Sequence, residues 1–312
     1  MNRRTFLTSA SAAFALGALY RLNGQPAPAA SGPAAGPQPV FQPLRRNVGL
    51  FTMRGGTIGW LASKEALAVV DTQFPDTAAL CLAGLPGRDG RQIDVVINTH
   101  HHGDHTSGNG VFKPVAKRLV AHANVPDLQR RAAERAQPPT VDRQVYADET
   151  FPETWAASLG DEDVRATYFG RAHTRGDIVV YFEKANVVHV GDLLFNRLYP
   201  VIDRVGGASI QNWTQVLAKI AETYPSDALY VFGHGNPKFG VTGQRADLFV
   251  FRDYLLGLLD HVRTQIAAGK TKEEVMAHAG GLAGFPDFDQ PAPNRLPGNL
   301  GTAFDELTEK AG

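Results

Sequence analysis

Three observations predict an α/β fold in which β-sheets are covered by helices along most of the 312-residue chain. Runs rich in Val, Ile and aromatic residues alternate with longer stretches whose apolar residues recur at helical spacing. Glycine pairs, prolines and charged dipeptides separate them at the short intervals of tight turns. The composition, 43% hydrophobic and 20% charged, is that of a chain able to bury a large core. No segment recurs at a fixed period, which argues against a solenoid.

The amino terminus reads as an address. Arg3 and Arg4 precede a small and apolar stretch from Thr8 to Tyr20, and Pro/Ala-rich sequence follows. This resembles a twin-arginine export signal. It implies passage of the folded protein through the twin-arginine export machinery to a periplasmic or secreted location. The apolar stretch is too short to anchor stably across ~30 Å of hydrocarbon. Residues 1–30 are assigned to this signal and residues 31–46 to a linker, because the six prolines in 25–43 cannot join a helix. The remaining residues, 47–312, are assigned to one domain.

Within that domain, β runs at 48–53, 57–62 and 66–71 are separated by Gly55-Gly56 and Lys64-Glu65 and predict an antiparallel meander. Pro75 starts, and Gly87 lies just beyond, a helix predicted over 75–85. Further strands are expected at 93–98, 119–121, 164–169, 178–182, 187–191 and 228–233, and helices at 125–136, 211–224, 245–268 and 272–279. Leu248, Phe251, Leu255, Leu258 and Leu259 mark 245–268 as a helix covering a core.

Charge and sulfur content narrow the chemistry. Lys plus Arg and Asp plus Glu both total 31, so no net field draws in nucleic acid. A small-molecule substrate is expected. The single cysteine, Cys81, excludes an intrachain disulfide and a thiolate metal cluster, and its apolar setting, Ala78 to Ala83, marks a buried structural thiol. Any metal must be held by histidine and carboxylate.

Residues of that kind lie where β runs end: His100 after Asn98-Thr99, His173 after Gly170-Arg171-Ala172, Asp192 after Val190-Gly191 and His234 after Phe232-Gly233. Ligands mounted at strand ends can converge on one sheet edge. His100, His102 and Asp104 are spaced by two, so an extended chain would point all three to one side. His101 then faces away as a packed histidine, and His105 can join only if the chain bends after Gly103. Imidazole and carboxylate suit Zn²⁺, and two adjacent ligand sets call for two metals. No Gly-x-Ser-x-Gly element accompanies Ser107, which argues against a serine nucleophile.

The element His100-x-His102-x-Asp104-His105, followed in order by His173, Asp192 and His234, resembles the metallo-β-lactamase superfamily, and the likeness runs from about Val48 to Phe239. The resemblance implies a four-layer αββα sandwich with a binuclear site on its edge. It implies that His100, His102 and His173 hold one metal and Asp104, His105 and His234 the other, with Asp192 as the bridge. Asp71 resembles a residue that orients the site. Two Zn²⁺ ions sharing a water would supply hydroxide near neutral pH, with iron or manganese not excluded. The implied activity is hydrolysis of an ester, thioester, lactone or amide, a β-lactam included, with Asp104 passing a proton to the leaving atom.

Departures from the family pattern narrow the substrate. Asp192 holds the place of the cysteine ligand of one β-lactamase subclass. The stretch from Thr99 to Asn109, with Gly191-Asp192-Leu193-Leu194-Phe195, looks closest to hydroxyacylglutathione hydrolases, although no basic tail for glutathione is evident. Phe195 stands where lactonases of this fold carry tyrosine. A neutral chain lacks the basic surface of ribonuclease Z relatives, and His102 stands where flavin-linked diiron reductases carry glutamate. Persulfide dioxygenases, which bind one iron through residues corresponding to His100, His173 and Asp192, are the alternative enzymatic class, and a non-catalytic metal-binding protein is another. Residues 195–213 are expected to overhang the metals as a substrate lip, with Arg197, Tyr199 and Arg204 as anchors for an anionic group.

Overall fold

The computed structural model describes residues 38–309. The signal assigned to residues 1–30 and the first part of the expected linker, residues 31–37, lie outside the described residues.

The chain begins in a sheet. Strands β1 (Val40–Arg45), β2 (Val48–Thr52), β3 (Ile58–Ala62) and β4 (Leu67–Val70) form the antiparallel meander. The assignment of residues 40–45 to a linker is therefore corrected. Proline suppresses helix but is tolerated on an edge strand, where Pro43 accompanies a register shift between Pro43 and Arg45. Helix α1 (Pro75–Gly84) then crosses to β5 (Val95–Asn98), which adds parallel to β4. Two one-turn helices follow, α2 (Gly103–Thr106) and α3 (Asn109–Phe112), then β6 (Leu119–His122), α4 (Val125–Arg135) and β7 (Glu149–Phe151). The seven strands pair in chain order.

A second sheet is built from β8 (Thr154–Leu159), β9 (Glu162–Tyr168), β10 (Ile178–Phe182) and β11 (Val187–His189). The two-residue strand β12 (Phe195–Asn196) and helix α5 (Ile210–Thr223) lead to β13 (Leu229–Val231), parallel to β11. The short β14 (His234–Gly235) pairs with β12, and β15 (Thr242–Gly243) closes the second sheet beside β13. Helices α6 (Arg245–Ala267), α7 (Lys272–Met276) and α8 (Arg295–Thr308) complete the described chain. Sequence reading overlooks β1, β7, β8, the three short strands and α8. Strands of two or three residues are below the length at which alternation is legible.

Alternation within strands decides the layering. Ala68 and Val70 of β4 and Ile97 of β5 meet Ala166, Ile178 and Val180 of the second sheet in one apolar layer. Val69 and Val96 face the other way, onto α1 and Phe112. Val179, Val188 and Tyr230 face α5 and α6. Helices, sheet, sheet and helices thus stack in four layers, the αββα sandwich. Trp213 of α5 is fully buried and its Nε1–H donates to Leu193 O at 2.9 Å. Truncation to alanine there would cost about 3–5 kcal/mol, a large fraction of the stability of an ordinary domain. Among the described residues, no helix is long and apolar enough to cross a membrane.

Cys81 lies fully buried under the first sheet, where burial pushes its thiol far above the ordinary range. The thiolate is the reactive form. A disulfide reagent such as dithiobis-nitrobenzoate is therefore expected to titrate no thiol in the native protein at pH 8 and one after denaturation. Rapid native labelling would contradict this packing.

Candidate metal centre

Parallel pairing aligns strand ends. The carboxyl ends of β4 and β5 deliver Asp71 and His100 to one edge, and those of β11 and β13 deliver Asp192 and His234. The loop between β9 and β10 adds His173. Two glycines make the convergence possible. A Cβ at Gly233 would strike the Asp192 carboxylate, and one at Gly56 would strike the His105 ring.

The chain is extended only as far as His102 (φ −64°, ψ 149°) and turns helical at Gly103, with the Thr106 N–H bonded to His102 O at 3.0 Å. A single extended run carrying His100, His102 and Asp104 on one side is therefore corrected. Helical rotation separates Asp104 from His102 and turns it, with His105, toward His234.

Two clusters result. In the first, His102 Nδ1 lies 3.2 Å from His100 Nε2 and 3.0 Å from His173 Nε2. In the second, His234 Nε2 lies 3.4 Å from His105 Nε2 and 3.1 Å from Asp104 Oδ2. Asp192 touches both: Oδ2 is 3.7, 3.5 and 3.4 Å from His100, His173 and His234, and Oδ1 is 3.1 Å from His105 Nε2. All seven residues that the sequence nominated are thus brought together. His101 is buried beside them and faces Asp203, with Nε2 at 3.3 Å from Oδ2.

The far side of the rings fixes which nitrogen faces the cluster. His105 Nδ1–H donates to Asp71 Oδ2 at 2.7 Å, His173 Nδ1–H to Val201 O at 2.8 Å, and His102 Nε2–H to Asp203 Oδ2 at 3.0 Å. Thr99 donates its hydroxyl to Asp71 Oδ2 at 2.7 Å and so accepts from His100 Nδ1 at 3.0 Å. Tautomers assigned from this network turn a lone pair of His100, His102 and His173 toward the first cluster. Asp71 orients the site as expected, and it does so with φ at +65°, a strained conformation for a non-glycine residue. Asp203 was overlooked: it sits in a mixed loop next to Arg204, and only folding brings it to His101 and His102.

Charge divides the two clusters. Burial, reinforced by neighbouring imidazoles, holds His100 well below the ordinary range and His173 down at about 3, so both rings are neutral. Burial also opposes charge on His105 and His234. There the carboxylates prevail: Asp192, Asp104 and Asp71 raise His105, and Asp192 and Asp104 lift His234 to about 9. Burial disfavours the carboxylates in turn, but His105 and His234 bring Asp104 down to about 2 and, with His100, hold Asp192 far below its usual range.

This donor set fits divalent cations. Nitrogens sharing a tetrahedral shell with bonds of about 2.05 Å stand ~3.3 Å apart, close to the spacings found. Asp192 Oδ1 is buried with no hydrogen-bond partner in the protein despite its proximity to His105, the state of an oxygen that awaits a cation. The positive charge that His105 and His234 bear beside Asp104 and Asp192 is charge a metal would replace.

A cavity of about 210 Å³ opens over the clusters, with His102, Asp104, Asp192 and His234 on its floor. Phe195, Leu198 and Val201 form one wall, so residues 195–213 do overhang the site, but with apolar side chains. Phe195 stacks on His234 with ring centroids 5.3 Å apart. The anchors expected there are corrected. Arg197 is held by Asp247 at 3.3 Å, Arg204 by Glu306 and Glu309 at 3.4 and 2.5 Å, and Tyr199 is buried against Tyr254. The cation at the cavity is Arg295, in a helix the sequence reading missed, although Leu296, Leu300 and Ala303 carry helical spacing.

Fold and site together define an αββα protein with a paired His/Asp centre on its sheet edge. The family model for the metallo-β-lactamase superfamily matches residues 52–234, and the chain belongs to that superfamily. A metallo-beta-lactamase type 2 from Elizabethkingia meningoseptica is 24% identical over 151 residues, covering 48% of this chain and 57% of that protein. A hydroxyacylglutathione hydrolase from Crocosphaera subtropica is 31% identical over 132 residues, covering 42% and 44%. The chain thus spans about half the length of the curated relatives it matches. Among solved structures, a metallo-beta-lactamase from Hirschia baltica superposes with a TM-score of 0.55 at 15% identity, covering 70% of this chain and 97% of that one. A double mutant of the sec-alkyl sulfatase PisA1 does so at 0.63 and 15%, covering 86% and 50%. Both share the fold.

Loss of the Asp203 carboxylate should release the His102 ring. The variant Asp203→Ala is expected to weaken the binding of an added divalent metal such as zinc by about 10- to 100-fold in competition with a chromophoric chelator. Unaltered affinity would deny Asp203 this orienting role.

Proposed function

We propose that this protein is a binuclear metal-dependent hydrolase of small acyl substrates, with two zinc ions as its resident metals. The observation that carries the reading is the convergence of imidazole nitrogens on the Asp192 carboxylate, one of whose oxygens has no hydrogen-bond partner in the protein, beneath an open cavity. Two divalent cations there would polarise a carbonyl and lower the pKa of a water to near neutrality.

The protein's own groups have distinct parts. His100, His102 and His173 would hold one cation, and Asp104, His105 and His234 the other, with Asp192 placed against both sets. Asp71, Asp203 and the Val201 carbonyl keep the rings aimed, so little reorganisation is needed during reaction. Asp104 is only part-buried, faces the cavity and is held ionised by His105 and His234. It is assigned to accept a proton from the attacking water and pass it to the leaving atom. The apolar wall of Phe195, Leu198 and Val201 excludes water from one side of the substrate and favours an apolar acyl or alkyl portion. Ester, thioester, lactone and amide bonds, β-lactams among them, all suit such a site. The twin-arginine sequence would place the reaction in the periplasm or outside the cell.

Protein purified without chelators is expected to carry roughly two equivalents of zinc by elemental analysis and to turn over at least one member of a panel of thioesters, aryl esters, lactones and β-lactams. A single iron with oxygen uptake would instead favour the dioxygenase, and bound metal without turnover a binding protein. The double substitution His100→Ala with His102→Ala should abolish both stoichiometric metal and turnover. An active, metal-free double variant would sink the mechanism.

A further inference from the structure

Arg295 occupies the first turn of α8 and shares the cavity with Asp104 and His234 on the floor and Phe195, Leu198 and Val201 on the wall. Its Nε is buried and meets no hydrogen-bond acceptor, and no ion-pair partner is found for it among the described residues. Arg197 and Arg204, by contrast, are paired with carboxylates. The two carboxylates that line the cavity, Asp104 and Asp192, lie against His105 and His234 and form no ion pair with Arg295. Burial lowers the Arg295 pKa, but arginine remains charged at neutral pH. A part-buried, unpaired guanidinium at the mouth of a reaction cavity is costly unless an anion completes it.

Its position is built rather than accidental. Leu296, Leu300 and Ala303 bury α8 in the helical layer, and Asn299 Nδ2 donates to Pro200 O at 3.1 Å. Leu198 and Asp289 form a parallel bridge, and the Tyr199 N–H donates to Asp289 O at 2.9 Å. These ties lay the carboxy-terminal segment against residues 198–200, over the cavity. All of it lies outside the span matched by the family model, residues 52–234.

We infer that Arg295 is the specificity-determining residue of the cavity and that the substrates are acyl compounds with an apolar body and an oxyanion, a carboxylate or sulfonate, close to the scissile bond. The inference rests on the hydrolase reading for its substrates, but the anchor can be measured without turnover. Hexane-1-sulfonate is non-hydrolysable and a poor zinc ligand, so calorimetric titration of the zinc-loaded protein reports the anchor. Wild type should bind it more tightly than hexan-1-ol. Arg295→Ala should weaken sulfonate binding by about tenfold or more, Arg295→Lys should retain it within about threefold, and hexan-1-ol should bind all three alike. With substrates, Arg295→Ala should raise KM for 4-acetoxybenzoate relative to KM for phenyl acetate. Equal sulfonate binding by wild type and Arg295→Ala, or no preference of wild type for sulfonate over alcohol, would overturn the anchor. Arginine-dependent sulfonate binding with no ester, thioester, lactone or amide hydrolysed would uphold the anchor and sink the hydrolase reading.

Discussion

A fully buried carboxylate, Asp192, lies between four imidazoles, and much of the architecture around it follows from the need to keep that charge compensated. An isolated carboxylate so placed would take up a proton. Here His105 and His234 carry positive charge beside it while His100 and His173 stay neutral, a division set by burial and by the positions of Asp71 and Asp104. Divalent cations in place of those protons would keep the buried carboxylates compensated and would give Asp192 Oδ1, which has no hydrogen-bond partner in the protein, a partner.

Rigidity at the site is inherited from the sheets. Parallel pairing of β4 with β5 and of β11 with β13 sends their carboxyl ends to a common edge, and the apolar layer between the sheets holds the two halves in register. The rings are then aimed from behind by Asp71, Thr99, Asp203 and a backbone carbonyl. Trp213 joins the two functions: it fills the core under α5 and lies 5.6 Å from the His173 ring. Mutations in the helical layer would thus reach the metal centre through packing.

The outer parts of the cavity obey a different logic. The segment after Asp192 covers the site with Phe195, Leu198 and Val201, while its arginines, Arg197 and Arg204, turn away to pair with α6 and α8. The charge facing the cavity comes from the far end of the chain. Catalytic centre and selectivity element are thereby carried by separate stretches of sequence. One can vary while the other is kept.

Much of this was legible in residue order alone. The candidate ligands from His100 to His234, the alternation that builds the sheets and the helix covering the core are local patterns, because metal-ligand chemistry and side-chain periodicity are written within a few residues. Strand β1 and helix α8 escaped because proline content and a loop-like neighbourhood masked them. The split of His100, His102 and Asp104 between two clusters, the duties of Asp71 and Asp203 and the capture of Arg197 and Arg204 by distant carboxylates were decided only by the tertiary structure. Each depends on partners far apart in the chain, and which partner a charged side chain meets is settled by packing.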